Sequence, residues 1–294
     1  MSIHSHALVS PQASIGRDVT IGPFSIIEAN AVVGDGCVIE SGVVIKEGAK
    51  LGKNNRIFEG SVIGSVPQHI RPPQHLGGLE IGANNTIREN VTIHRALHQG
   101  GMTTIGDNNL VMVGTHLAHD CKVGNNTIFA NNVLLAGHVT VSDRAYVSGS
   151  VGVHQFCRVG TLAMVGGHAR VVQDVPPYVT VDGASGLIVG LNLVGLRRNG
   201  FTSEEISELK AAYRVIYRSG LMWTEVLVEL KKQFADGPAA MFHEFLSQGT
   251  RGFVQERRMP PTATLKLRRS DEEESTTSTF NASEETVERR ARAG

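Results

Sequence analysis

The chain is poor in aromatic residues and cysteines and contains no long apolar run. Aromatic residues make up 5% of its 294 residues, which suits thin repeated strands better than a bulky globular core. The cysteines form neither a CxxC motif nor an even set, so we interpret Cys37, Cys121 and Cys157 as reduced thiols that fill the core. No stretch approaches the roughly 18 consecutive apolar residues of a membrane-spanning helix, and no transmembrane segment is expected.

An excess of charge of either sign is also missing, because 28 lysine and arginine residues balance 28 aspartate and glutamate residues. The net charge of +0 gives nucleic-acid binding no electrostatic support. The N-terminal residues lack a basic region followed by an apolar run, so no export signal is expected. These absences predict a cytoplasmic protein that binds no nucleic acid.

The chain does have an apolar residue at every sixth position from Ile3 to Val171, except at His69, His75 and Gln99. A helix repeats about every 3.6 residues and a strand about every two, so neither produces this spacing. Hexapeptide repeats do, and they predict a parallel β-helix in which three hexads close a coil of about 18 residues. Gly and Asn at the third and fourth hexad positions suit the turns between the strands.

The patterns divide the chain into four segments. Residues 1–180 are predicted to form the β-helix, and residues 181–200, after the Pro176-Pro177 pair, an irregular connection. Residues 201–253 are predicted to form a small α-helical domain whose first helix begins at Thr202 and ends at Ser219-Gly220, followed by helices over 224–234 and 239–246. Residues 254–294 are polar and aperiodic, which predicts a disordered tail.

Two segments leave the six-residue lattice. Residues 65–80 contain three prolines and two histidines, and residues 95–104 contain a Gly-Gly pair. Both segments start and end in phase with the lattice. Long loops on a regular scaffold often carry function, so we expect functional residues in them.

Seven of the 12 histidines fall between residues 94 and 168, and the 18-residue coil predicts which of them share a face. Residues one coil apart should stack, which puts Gly137 above His119 and His138 above Asp120. A polar column on one side of the prism is therefore predicted, consisting of His119, His138, His154 and Gln155, with His116 a short step away. The alternative interpretation is a set of solvated surface imidazoles.

The predicted column suggests acyl transfer by direct attack. Imidazole is the usual general base near neutral pH, and Asp120 is positioned in sequence to orient His119. The Gly137 N–H, free of side-chain obstruction, would meet a developing oxyanion. No GxSxG nucleophile motif is present, and Cys121 is expected to be buried. Clustered histidines such as His116 and His119 also bind zinc, which is the competing interpretation.

Several motifs, in this order and spacing, resemble the bacterial acyl-[acyl-carrier-protein]–UDP-N-acetylglucosamine O-acyltransferases. They are VTIHR (91–95), HLAHDC (116–121), LAGHV (135–139), VHQFC (153–157), QDVPPYV (173–179), RNGFTSEEI (198–206) and AYRVIYRSG (212–220). The resemblance covers residues 1 to about 254. It implies a homotrimer of left-handed β-helices with active sites between subunits. It also implies acyl carrier protein and UDP-N-acetylglucosamine as substrates, no cofactor, no metal, and the first step of lipid A synthesis.

The resemblance also implies roles for individual residues. The general base falls on His119, its acidic neighbour on Asp120, and the oxyanion donor on the Gly137 amide. Gly167 falls on the position that limits acyl-chain length, and a glycine there is consistent with a longer hydroxyacyl chain. Substrate-contacting positions fall on His69, Arg71, His116, His138, His154, Gln155, Asn192 and Arg198.

The chain departs from the family pattern in the first loop. The family usually carries an Asp and a Lys where this chain has His69 and Arg71, and a histidine does not replace a carboxylate. One hypothesis is an altered acceptor, such as a 3-amino sugar nucleotide that would be N-acylated. Val194 and Asn199 replace residues that are often charged, so part of the nucleotide contact is also expected to differ.

Three other hypotheses stay open at this point. One is a related hexapeptide-repeat N-acyltransferase, which would carry an extra N-terminal domain where this ladder already begins at Ile3. The others are a zinc-dependent hydratase on the same fold and a non-catalytic scaffold. For an acidic carrier protein, a basic docking surface is expected, and the candidates for it are Arg197, Arg198, Arg214 and Arg218.

Overall fold

The aliphatic lattice folds into a prism of short strands. The computed structural model describes residues 1–257, which contain 28 strands and four helices. Most strands are two residues long, because one inward-pointing aliphatic residue and its neighbour suffice before the chain turns. The inward residues, such as Ile57 and Ile87, are fully buried. The strands form three sheets, which are the three faces of the prism.

The three sheets take every third strand in turn. The first contains β1 (Ser2–Ile3), β4 (Thr20–Ile21), β7 (Val38–Ile39), β10 (Arg56–Ile57), β13 (Thr86–Ile87), β16 (Leu110–Val111), β19 (Ile128–Phe129), β22 (Tyr146–Val147), β25 (Met164–Val165), β27 (Val179–Val181) and β28 (Ile188–Leu191). The second contains β2 (Leu8–Val9), β5 (Ile26–Ile27), β8 (Val44–Ile45), β11 (Val62–Ser65), β14 (Thr92–His94), β17 (His116–Leu117), β20 (Leu134–Leu135), β23 (Gly152–Val153) and β26 (Arg170–Val171). The third contains β3 (Ser14–Ile15), β6 (Val32–Val33), β9 (Ala49–Leu51), β12 (Gly78–Ile81), β15 (Met102–Ile105), β18 (Lys122–Val123), β21 (Thr140–Val141) and β24 (Arg158–Val159).

The corners of the prism use left-handed backbone conformations. The fourth hexad position has a positive φ in coil after coil, as at Asn126 (57°) and Asn132 (59°). Asn and Asp tolerate this region better than most residues, which explains their clustering at the corners. Two of the predicted site residues, Asp120 (61°) and His138 (60°), occupy the same kind of corner. The fold therefore exposes these side chains at an edge between two sheets.

Both predicted loops interrupt the stacking without changing the register of the buried residues. The first loop leaves after β11 and returns at β12, so Ile63 pairs with Ile93. The second leaves after β14 and returns at β15, so Ile93 pairs with Leu117. Each loop adds length to one coil only. The aliphatic core stays continuous beneath the two loops.

The strands extend beyond residue 180, where the sequence-based prediction ends the β-helix. Strand β27 still pairs in parallel with β25, and β28 then reverses to run antiparallel to β27. A short helix follows within residues 181–200, where an irregular connection was predicted. Its N-cap is Asn192, whose side chain accepts a hydrogen bond from the Gly195 N–H. The helices are α1 (Leu193–Arg198), α2 (Ser203–Arg218), α3 (Trp223–Gln233) and α4 (Ala240–Ser247).

The chain remains packed beyond residue 253, where the sequence ended the helical domain. Phe253 and Glu256 form β-bridges with Asp174 and Ile188, and Val254 is buried. Residues 254–257, which the sequence-based boundary assigns to the disordered tail, instead pack against the prism. The rest of the predicted disordered tail, 258–294, lies outside the described residues. None of the helices in residues 1–257 has the length and hydropathy needed to cross a membrane.

A buried ion pair joins the helical domain to the prism. Asp174 is almost fully buried, and its carboxylate accepts hydrogen bonds from the backbone N–H and the guanidinium of Arg158. The same guanidinium lies 4.1 Å from the ring centroid of Phe245 and donates to its carbonyl oxygen. Arg158 thus links the third sheet to α4.

Candidate active site

A histidine and an aspartate form a hydrogen-bonded pair at the corner between the second and third sheets. His119 and Asp120 follow β17, and Nδ1 of His119 lies 2.8 Å from Oδ2 of Asp120. A carboxylate accepts hydrogen bonds, so Nδ1 carries the proton and Nε2 keeps its lone pair. Both side chains are largely shielded, with 14% and 16% of their surface exposed. This arrangement suits His119 to accept a proton at Nε2.

The second loop holds Asp120 in place. The Leu97 N–H donates to Oδ2 of Asp120 at 3.0 Å, and the Asp120 N–H donates to Oγ1 of Thr103 at 2.8 Å. Leu97 and Thr103 are both buried, so these contacts are shielded from water. These hydrogen bonds fix the Asp120 carboxylate, which in turn orients the His119 imidazole. The Gly-Gly loop predicted to be functional supports the site rather than contributing a reacting group.

Gly137 lies directly against the His119 ring. A β-carbon built on Gly137 would lie 2.7 Å from Cε1 and 2.9 Å from Nε2 of His119. Such distances are far inside van der Waals contact, so only glycine allows the ring to take this position. The Gly137 N–H donates to no side chain or carbonyl within residues 1–257. Its predicted stacking over His119 is therefore seen in the structure, and the amide is available to a ligand.

His138 borders His119 from the next coil. The two rings are perpendicular with centroids 5.2 Å apart, and Nε2 of His138 lies 3.9 Å from Oδ2 of Asp120. On its other side, His138 stacks on Phe156 at 4.6 Å and 11°. Burial lowers the pKa of His138, against the opposing influence of Asp120. The ring is therefore held as a neutral hydrogen-bonding group near neutral pH.

The first loop brings His69 to the same corner. The His69 and His119 rings are nearly perpendicular with centroids 6.2 Å apart. Nδ1 of His69 accepts a hydrogen bond from the Arg71 N–H at 3.2 Å. The proton of the neutral ring is then on Nε2, so His69 presents a donor where a carboxylate presents an acceptor. The Arg71 side chain is exposed, and no contact ties it to the His119 corner.

A second imidazole pair flanks the corner on the second sheet. The His94 and His116 rings lie 5.0 Å apart, and Nδ1 of His116 is hydrogen-bonded to Oγ1 of Thr92 at 2.7 Å. His94 donates from Nδ1 to the Val66 carbonyl oxygen at 2.7 Å. Burial lowers the pKa of both His94 and His116. Through Val66, this pair also anchors the start of the first loop.

His154 faces a groove on the second sheet, and Gln155 lies at the corner between the second and third sheets. His154 is exposed, and its Nδ1 lies 3.1 Å from a guanidinium nitrogen of Arg251. It lines a groove of about 670 Å³ along the second sheet, together with Gln68, His116, Leu134, Ala136 and Arg170. The Gln155 side chain is exposed at the corner, one coil beyond Gly137. The predicted column therefore contains a half-buried cluster around His119 and, on the second sheet, a groove lined by His116 and His154.

Asn192 and Arg198 lie on a different face. They line a second cavity of about 610 Å³ with Arg144, Tyr146 and Met164, against the first sheet. The Asn192 side chain also caps α1 and donates to the Leu162 carbonyl oxygen at 2.9 Å. Within one chain these two residues are not brought to the His119 corner.

Gly167 lies at the corner between the first and second sheets, after β25. A β-carbon there would lie 3.4 Å from the Gly149 carbonyl oxygen, which is ordinary van der Waals contact. The second-sheet face connects the Gly167 corner with the His119 corner. The groove on that face therefore lies between the two positions.

The cysteine that follows Asp120 in the chain is not a nucleophile. Cys121 is fully buried, and burial raises the pKa of its thiol to about 12. Its Sγ lies 3.3 Å from the Ala136 carbonyl oxygen, to which it donates. Among residues 1–257, one group of side chains has metal-ligating atoms close together: one atom each from His119, Asp120 and His138, all within 4.8 Å of one another.

Some of the supporting residues were missed by sequence reasoning. Phe156 is one coil above His138, and the 18-residue spacing could have identified the stacking between them. Leu97 and Thr103 act through a loop that has no lattice position. Thr92 is paired with His116 across 24 residues, because the second loop lengthens that coil. The 18-residue spacing no longer predicts which residues stack wherever a loop lengthens a coil.

Family models match both parts of the chain. The model described as "Udp N-acetylglucosamine O-acyltransferase; Domain 2" matches residues 174–254. The model described as "Bacterial transferase hexapeptide (six repeats)" matches residues 12–47 and 102–137. The two matches correspond to the helical region and the prism.

Curated relatives and solved structures agree with these matches. The acyl-[acyl-carrier-protein]–UDP-N-acetylglucosamine O-acyltransferase of Ectopseudomonas mendocina is 48% identical over 256 residues, covering 86% of this chain and 99% of that protein. The corresponding enzyme of Halorhodospira halophila is 45% identical over 255 residues, with coverage of 86% and 99%. The UDP-N-acetylglucosamine acyltransferase structure from Francisella novicida matches with a TM-score of 0.84 at 38% identity, covering 90% of this chain and 100% of that chain. The Moraxella catarrhalis structure matches with a TM-score of 0.84 at 40% identity, covering 87% and 100%.

Proposed function

The chain belongs to the family of acyl-[acyl-carrier-protein]–UDP-N-acetylglucosamine O-acyltransferases, and we propose that it performs their reaction with His119 as general base. It is an acyltransferase with the left-handed parallel β-helix of that family. It transfers a 3-hydroxyacyl group from acyl carrier protein to the 3-hydroxyl of UDP-N-acetylglucosamine, the first step of lipid A biosynthesis. We favour this function over the hypotheses of a zinc-dependent hydratase and of a non-catalytic scaffold.

The proposed mechanism begins at Nε2 of His119. This nitrogen removes the proton of the sugar 3-hydroxyl as its oxygen attacks the carbonyl carbon of the acyl thioester. Asp120 holds Nδ1–H and stabilises the imidazolium that forms. The 2.8 Å contact between His119 and Asp120 is the observation that carries this assignment.

The tetrahedral intermediate places a negative charge on the former carbonyl oxygen. We assign its stabilisation to the Gly137 N–H, which finds no acceptor among residues 1–257 and lies against the base. Collapse of the intermediate breaks the carbon–sulfur bond. The carrier-protein thiolate then takes the proton from the imidazolium, so the base returns to its starting state.

The acyl chain is assigned to the groove on the second sheet. Leu134 and Ala136 supply apolar surface, and His116 and His154 mark its polar side. The groove face leads from the His119 corner to the corner of Gly167, which fits the proposed limit on chain length.

The acceptor is tested by an assay that offers both sugar nucleotides. Purified enzyme is given a series of 3-hydroxyacyl carrier-protein thioesters with either UDP-N-acetylglucosamine or its 3-amino analogue. We expect an ester product from the 3-hydroxyl acceptor, identified by mass spectrometry and by its lability to mild base. His69, a donor where relatives carry a carboxylate, is the reason to include the amine. An amide from the 3-amino analogue alone would replace O-acylation with N-acylation, and no product from either acceptor would overturn the proposed function.

We further propose a homotrimer whose active sites lie between subunits. Asn192 and Arg198 line the cavity against the first sheet, whereas His119 lies at the corner between the second and third sheets. A three-fold arrangement would bring the first-sheet cavity of one subunit against the His119 corner of its neighbour. The proposed trimer accounts for both sets of predicted substrate contacts, and a cytoplasmic location is proposed with it.

Subunit mixing tests the shared site. We expect His119→Ala and Arg198→Ala proteins to be nearly inactive alone. Co-assembled at equal amounts, they should recover activity in about a quarter of the sites, because random assortment pairs an intact base with an intact arginine at that frequency. Initial rates and light scattering of the mixed assemblies measure this. No recovery in verified mixed trimers would contradict a site shared between subunits.

The expected carrier-docking arginines are not equivalent in the structure. The Arg218 guanidinium lies 2.6 Å from Oε1 of Glu256, to which it donates, so its charge is partly neutralised. Arg197, Arg198 and Arg214 are exposed. We therefore propose Arg197 and Arg214 as the first residues to examine for carrier-protein docking.

A further inference from the structure

Three potential metal ligands meet at the Asp120 carboxylate. Oδ2 of Asp120 lies 2.8 Å from Nδ1 of His119 and 3.9 Å from Nε2 of His138. One ligand atom from each of the three residues lies within 4.8 Å of the others. The reaction proposed above uses this cluster for proton transfer. It assigns no role to the cluster as a set of ligands.

The spacing of the three atoms is close to that of a zinc site. With bonds of about 2.0–2.1 Å to nitrogen or oxygen, the ligand atoms of a tetrahedral zinc ion lie about 3.3 Å apart. The two distances to Asp120 fall on either side of that value. Small movements of the His119 and His138 rings would therefore create three-coordinate protein ligation with one open position. Both rings retain surface exposure, 14% for the first and 38% for the second, so an ion can reach them from solvent.

We propose that His119, Asp120 and His138 form an inhibitory binding site for a first-row transition metal ion, with Zn²⁺ as the best fit. Two imidazoles and one carboxylate favour Zn²⁺, Ni²⁺ or Co²⁺ over Mg²⁺, which prefers an all-oxygen octahedron. The bound ion engages the imidazole of the base and the carboxylate that orients it. Acyl transfer then stops, because coordination through Nδ1 of His119 moves the ring proton to Nε2, the nitrogen that would take the sugar proton. The inhibition rests on the proposed role of His119, whereas the binding does not.

Direct binding is measured first, without substrates. The protein carries His4→Gln and His6→Gln, because that exposed pair, with rings 5.3 Å apart, is a competing site in the first coil. We expect one Zn²⁺ per chain by isothermal titration calorimetry, tetrahedral-type visible absorption with Co²⁺, and no heat with Mg²⁺. His138→Gln in the same background should weaken Zn²⁺ binding by at least about tenfold, since even outer-shell changes cost 10–100-fold. His243→Gln, which removes an imidazole of α4 outside the cluster, is the matched control and should leave the affinity unchanged.

Inhibition is measured next, as initial rates, because the carrier-protein thiol released by turnover would itself bind zinc. Zn²⁺ should abolish acyl transfer in the His4→Gln/His6→Gln protein, and EDTA should restore it. The Zn²⁺ concentration for half-inhibition should rise at least about tenfold with His138→Gln, relative to the uninhibited rate of that variant.

The possible failures point to different conclusions. An absence of stoichiometric binding, or binding that His138→Gln leaves unchanged, overturns the site. Stoichiometric, His138-dependent binding that leaves turnover unaffected overturns inhibition and contradicts the role of His119 as base. Failure of the proposed function itself appears separately, as an absence of acyl transfer in metal-free protein.

Discussion

Replacing His119 by alanine is expected to lower kcat by roughly 10²–10⁴-fold, the usual contribution of a general base. The other four imidazoles near the corner do not substitute for it, because each is held by other contacts, and His69 accepts the Arg71 N–H at its Nδ1. His94 and His116 are held by Val66 and Thr92, and His138 lies against Phe156. The KM for the sugar nucleotide should change much less than kcat. Initial rates at saturating carrier-protein thioester measure both parameters.

The His119→Ala protein must keep its fold for this result to be informative. Circular dichroism, light scattering and thermal melting should match the parent protein, because His119 lies at a corner outside the aliphatic core. His6→Ala, which removes an exposed imidazole of the first coil, serves as the control and should retain full activity. Near-normal turnover by a well-folded His119→Ala protein would remove this residue from the role of base.

A single added methyl group at Gly137 should be nearly as damaging. The β-carbon of Gly137→Ala would lie 2.7 Å from Cε1 and 2.9 Å from Nε2 of His119, so the ring must move. A displacement of about 1 Å in a reacting group can cost 10²-fold in rate, and we expect a loss of kcat of about that size. Because the amide of residue 137 is retained, the loss would report the position of the base rather than the removal of the oxyanion donor.

Gly149→Ala is the matched control for Gly137→Ala. Gly149 occupies another corner of the prism, and a β-carbon there would lie 3.4 Å from the Asn131 carbonyl oxygen, which is ordinary contact. Its kcat should stay close to that of the parent protein. A pH–rate profile for Gly137→Ala adds a second measurement, since a displaced ring loses its hydrogen bond to Asp120. Equal rates for the two variants would show that the His119 ring does not need the space that Gly137 leaves.

Periodicity predicted those parts of the site that lie in unbroken coils. One coil separates His119 from Gly137, and Asp120 from His138, and the structure shows both contacts. The same spacing also grouped His154 with His119, and that grouping stays a prediction. His154 follows β23 as His119 follows β17, and it lines the groove near Arg251. The 18-residue spacing predicts which residues stack on one another. It does not predict which face the side chain of an adjacent residue points to.

The remaining contacts depend on segments without a repeat. His69 reaches His119 through a proline-rich loop, and Leu97 reaches Asp120 through a Gly-Gly loop. Their paths are set by particular turns and buried hydrogen bonds, which no lattice encodes. Helix α1 was missed because it is short and lacks an amphipathic stretch, and only the Asn192 cap hints at its start. The sequence therefore predicted the β-helix and the pairing of His119 with Asp120. It did not predict the residues that hold this pair in place.

The left-handed corner conformation limits which side chains can serve at this site. Asp120 and His138 both have φ near 60°, a region that Asn, Asp and His enter at little cost and β-branched residues avoid. The residue types that best adopt this corner conformation therefore also carry a carboxylate, an amide or an imidazole. Corners of this prism can therefore carry an acid, a base or a metal ligand as the turn residue, as Asp120 and His138 do. New chemistry on this scaffold would then require only the exchange of one turn residue for another.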